Sequence, residues 1–114
     1  MAKLPKEMVE TIWDLKQQTL SIVEESSATE FVLFDVFSET DQTISYMNEM
    51  KNVAEAATSS YSRLCQLHLQ VAQAQPNASR DLLQFLHQVI VLTQTRLPAW
   101  KRSIEEVKIE WNLP

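Results

Sequence analysis

Glycine is absent from this sequence of 114 residues, where a typical soluble chain of that length has roughly eight. Turns that require φ > 0 lose their usual residue, so hairpins, Gly-rich phosphate loops and dinucleotide fingerprints are disfavoured together. Cysteine occurs once, at Cys65, which excludes an intramolecular disulfide and a metal framework made of thiolates alone. No apolar run approaches the roughly 18 residues of a membrane span, and Met1-Ala2-Lys3-Leu4-Pro5-Lys6 passes into amphipathic sequence without an apolar signal core. A cytoplasmic protein is the expectation. In such a chain the triplet Asn77-Ala78-Ser79 reads as a chance match to a glycosylation acceptor.

Bases are scarce as well. Ten stand against fifteen acids, for a net charge of −5. Through residue 60 there are eleven acids and four bases; from residue 61 there are four acids and six bases. Such a field repels a phosphate backbone, and no basic cluster exceeds Lys101-Arg102, so nucleic acid is not expected as a partner. The asymmetry reads first as ordinary solvated helix faces, with attraction between opposite halves as the alternative.

Apolar residues are plentiful, at 45%, and they recur at helical spacing. From Thr40 to Gln75 no proline interrupts the chain, and Met47, Met50, Ala54, Ala57, Tyr61, Leu64, His68 and Val71 alternate three and four apart. Ser38 with Asp41 has cap-like spacing before it, and Pro76 ends it. Upstream, Met1 to Leu4 reads as a loose leader and Pro5 suits a first helical turn. A stripe of Met8, Ile12, Leu15, Thr19 and Ile22 follows, and its rhythm continues through Ser26, Thr29, Leu33 and Val36. That continuity favours one helix to about Phe37, although Ser27 with Glu30 also has capping-box spacing. Downstream, Leu86, Ile90, Thr93, Leu97, Trp100, Ile104, Val107 and Trp111 keep one phase straight past Pro98. One helix kinked at Pro98 is expected, with Asn112-Leu113-Pro114 frayed beyond it.

The expected fold is therefore all-α: a single domain over 1–114, an elongated antiparallel three-helix bundle with helices near 5–37, 40–75 and 79–111. A four-helix bundle follows instead if residues 25–29 or Pro98 form a true turn.

Few residues carry candidate chemistry. Cys65, His68 and His87 could approach one another across a hairpin centred near Pro76, but packed histidines explain them more simply than a zinc site or a Cys-His nucleophile. Glu7 and Glu10 could meet Glu105 and Glu106 if the first and third helices run parallel, giving carboxylates for magnesium. The Glu-x-x-His pattern of di-metal bundles is missing, and no catalytic, metal or cofactor residue is assigned.

Phe31, Phe34 and Phe37 are different. With Val32, Leu33 and Val36 they exceed what one buried helix face absorbs, so a partner or the chain's own connection should cover them. Trp13 falls just off its stripe and reads as an exposed anchor. Glu30, Asp35 and Glu39 beside the phenylalanines speak against a membrane surface.

The functional expectation is a non-enzymatic helical interaction module, an adaptor, assembly factor or small regulator, that self-associates as a coiled-coil-like homodimer or binds another helical protein. The alternatives are a metal-dependent helical enzyme of the nucleotide-hydrolysing type, acting through carboxylates, and a carrier with an internal apolar cavity.

Overall fold

Three long helices account for almost all of the computed structural model, which describes residues 4–114; most of the expected leader lies outside the described residues. They are α1 (Lys6–Phe37), α2 (Ile44–Gln73) and α3 (Arg80–Glu110), and no strand occurs among the described residues. The body measures 56 × 19 × 17 Å. Its register can be read from cross-helix contacts. Lys16 meets His68 and Glu30 meets Lys51, so α1 and α2 are antiparallel; Gln18 meets Lys101 and Val32 lies beside Lys108, so α1 and α3 are parallel.

Each helix follows its own seam. On α1 the buried residues are Ile12, Leu15, Lys16, Thr19, Ile22, Ser26, Thr29 and Leu33. Ser26 and Thr29 carry the helix through residues 25–29 because each hydroxyl donates to a carbonyl one turn back, Ile22 at 2.6 Å and Glu25 at 2.7 Å. A buried hydroxyl satisfied within its own helix needs no partner across the core. The four-helix alternative fails here, and again at Pro98, which lies inside α3 with its ring exposed and with Leu97 and Trp100 buried on either side.

The middle helix corrects the simple stripe. Val53 and Leu67 are buried, whereas Ala54, Tyr61 and His68 are only half-buried. The reason is that α2 has two neighbours: His68 points to α1, and Leu67 lines a cleft with Leu82 and Phe85 of α3. A helix between two partners buries a wider face than one stripe of period 3.5 describes.

Connections without glycine are held by side chains. Ser38 takes φ 62° and ends α1, its N–H donating to Phe34. The expected cap of Ser38 with Asp41 is not formed. Instead Thr40 and Thr43 cap each other: the Thr40 amide donates to Thr43 Oγ1 at 2.9 Å and the Thr43 amide donates to Thr40 Oγ1 at 3.2 Å. This is capping-box logic with a threonine in the glutamate's place, and α2 starts one turn later than expected. Ser79 caps α3 by accepting from the Leu82 amide at 3.1 Å.

The end of α3 is also tied down, contrary to the fraying expected at Asn112-Leu113. Asn112 at φ 52° turns the chain, its amide donates to Ile109, and the Leu113 amide reaches the Lys108 carbonyl at 2.8 Å. That pair of bonds is a Schellman motif, with asparagine supplying the left-handed residue. Leu113 then packs against the core.

Candidate functional site: the outer face of helix 1

The aromatic residues singled out in the sequence separate into two groups. Phe37 is 38% exposed and packs on Trp111 with ring centroids 4.9 Å apart; Trp111 in turn meets Tyr46 at 5.4 Å. This aromatic knot joins the end of α1 to the start of α2 and the end of α3. Trp111, brought by the end of α3, supplies cover for Phe37.

Trp13, Phe31 and Phe34 face solvent, at 59%, 66% and 54% exposure, and Leu20 joins them at 48%. At 100° per residue Trp13, Leu20 and Phe31 fall within about 20° of one another, and Phe34 lies about 60° round towards α2. The set runs ~31 Å along α1. Its mean direction lies roughly 120° round from that of the buried seam, so α1 has two apolar faces and the bundle uses one. Val36, expected to continue the seam, is exposed as well; the end of the chain reaches Val32, one turn short of it.

One end of this face is built more firmly than the rest. Lys16 is 8% exposed, its ammonium lies 4.2 Å from the centre of the Trp13 ring, and it donates to His68 Nδ1 at 2.9 Å. The His68 ring meets the Trp13 ring edge-on at 5.7 Å. Lysine can only donate, so His68 Nδ1 must accept, which makes the imidazole neutral with its proton on Nε2. Burial and, secondarily, the Lys16 charge hold His68 below its ordinary value. Among the described residues Lys16 has no carboxylate partner; the ion pair found is Glu30 with Lys51 at 3.9 Å. An ammonium shared between a tryptophan face and a neutral imidazole fixes Trp13 while leaving most of its surface open.

Sequence reasoning passed over Lys16 and Leu20. Lys16 stands four residues after Ile12 and three before Thr19, a seam position whose only warning was spacing. Leu20 stands seven after Trp13, the interval of a second seam.

This cluster carries a pH prediction. A histidine depressed in the folded state gives stability that is complete above the ordinary value of about 6.5 and is lost as pH falls through the lower folded value. Below that window a second cation would face Lys16. Urea midpoints at pH 7.5 and at pH 5 should therefore drop further for the native protein than for His68→Gln; parallel drops would refute the assignment.

The other sites considered do not assemble. Cys65 is half-buried and adjoins Tyr61, whose phenol is raised chiefly by hydrogen bonding with the Cys65 side chain. His87, expected to be packed, is instead exposed at a cleft with Glu7, Met8 and Ile90, away from the Lys16 contact that engages His68. The same cleft separates the acids: Ile90 precedes Glu105 by fifteen residues, ~22 Å along α3, so Glu7 and Glu105 lie towards opposite ends of the rod. Among the described residues no three His, Cys, Asp or Glu side chains are grouped to hold a metal ion, and no helix is long and apolar enough to cross a membrane. Comparison of the chain with known protein families, curated proteins and solved structures returned no match.

Proposed function

We propose that this chain is a helical protein-interaction module, an adaptor, assembly factor or small regulator without enzymatic activity of its own, and that it docks a helix from another chain on the outer face of α1. The observation that carries the reading is the set of Trp13, Leu20, Phe31 and Phe34 standing in solvent on a helix that already fills the core with a different face. Isolated exposed apolar residues are ordinary; four large ones on one side of a single helix are not. Aromatic anchors on a rigid helix lose little side-chain entropy on binding, and Trp13 is already held by Lys16 and His68. A carboxylate-metal enzyme would need acids that converge, and Glu7 and Glu105 are distant.

The test is uptake of a neutral apolar dye such as Nile red. The native chain should enhance its fluorescence, and Phe31→Ser with Phe34→Ser should remove most of that signal at unchanged helicity, since both side chains are exposed. A chain that neither takes up the dye nor increases in mass at high concentration does not have this docking face.

A further inference from the structure

From the charges around that face we infer the chemistry of its occupant: an amphipathic helix with a seven-residue apolar repeat whose seam is flanked by lysine or arginine, not a second copy of this chain. The inference rests on the docking role proposed above for α1 and specifies its partner.

Spacing defines the seam. Trp13, Leu20, Ser27 and Phe34 are seven apart, and Glu10, Gln17, Glu24 and Phe31 form the neighbouring row. A partner rod following both rows must repeat its own apolar residues every seven, the condition for left-handed coiled-coil packing. Glu24 interrupts the apolar line between Leu20 and Phe31, and it is exposed. Covering it with an apolar side chain would strand a carboxylate; placing a lysine or arginine opposite it satisfies both groups. Asp14 and Asp35 stand one residue after Trp13 and Phe34, exposed on the same side. α1 as a whole has seven acids against Lys6 and Lys16, and Lys16 is buried and engaged by His68. On the neighbouring flank of α2, Lys51 is paired with Glu30.

Self-pairing along this seam conflicts with those charges in either direction. An antiparallel pair that lays Trp13 of one copy on Phe34 of the other brings the two Glu24 side chains together at the symmetry axis and Asp14 towards Asp35. A parallel pair sets every acid beside its own copy. Like charges facing across an interface oppose association, whereas a basic partner gains from the same acids and is steered to them.

The probes are three synthetic peptides of four heptads: one with a leucine seam and lysine flanks, one with the same seam and glutamate flanks, and one with lysine flanks and a serine seam. Fluorescence anisotropy of labelled peptide at low and at physiological salt reads the affinity. The leucine-lysine peptide should bind at least about tenfold more tightly than either of the others. Phe31→Ala with Phe34→Ala should weaken it about 30-fold or more, as expected for anchor residues. Glu24→Lys should weaken it about fivefold while improving the glutamate-flanked peptide. Equal binding of the two leucine peptides overturns the charge inference and leaves the docking face standing. A doubling of mass that depends on Phe34, with no peptide bound, makes the occupant a second copy and likewise overturns the inference alone. Equal binding of the serine and leucine peptides shows charge attraction without a seam and overturns it too. No peptide binding together with no dye uptake removes the docking face as well.

Discussion

Leu64→Ala is expected to reduce the free energy of unfolding by about 2–5 kcal/mol and the midpoint temperature by roughly 10 °C or more. Leu64 is fully buried in the second half of α2, on a helix that touches both others. The stretch before it is lean. Ala54, Ala56, Ala57, Thr58, Ser59 and Ser60 hold little side chain that could relax into a void, so most of the cavity should persist. A bundle only 19 × 17 Å across has few layers to share the loss. Leu69, five residues on and more than half exposed, is the internal control: Leu69→Ala should stay within about 0.5 kcal/mol of the native protein. Urea unfolding of both variants checks the pair, and equal effects would mean that the packing of α2 has been misassigned.

Pro98→Ala should act in the opposite direction, stabilising the fold by about 1–3 kcal/mol. Pro98 lies inside α3, eighteen residues after its first residue and twelve before its last, and its side chain is exposed. The ring contributes no core contact that alanine would lose, while alanine restores an amide able to donate to Gln94. The denaturant midpoint should rise at an unchanged m-value. A fall in the midpoint would show that Leu97 and Trp100 reach the core only because proline sets the direction of the helix between them.

Both expectations derive from periodicity that was already legible in one dimension. Three-four spacing carried through Ser26 and Thr29, and through Pro98, identified the helices that the structure contains. A helix seam depends on local backbone geometry, so the pattern survives when a polar residue or a proline occupies one position. Helix ends were less legible. The mutual caps of Thr40 and Thr43, and the left-handed turn at Asn112, depend on how far the chain must travel before reversing or stopping, which no single residue encodes.

The candidate site divides along the same line. Phe31, Phe34 and Trp13 could be recognised as apolar surplus because one face of a helix holds only so many large side chains. Their separation from Phe37 could not, because it depends on Trp111 arriving from more than seventy residues away. Lys16 was hidden for the same reason: its tolerance in the core depends on His68, 52 residues distant, offering an acceptor.

By itself the amino-acid order determined the all-helical class and the excess of apolar and acidic side chains on the first helix, and favoured three rods over four, since composition and local periodicity act within a few turns. Tertiary structure alone decided which neighbour each seam meets, which aromatic rings are already paired and which stay open, because those outcomes depend on the level at which three rods come to rest against one another.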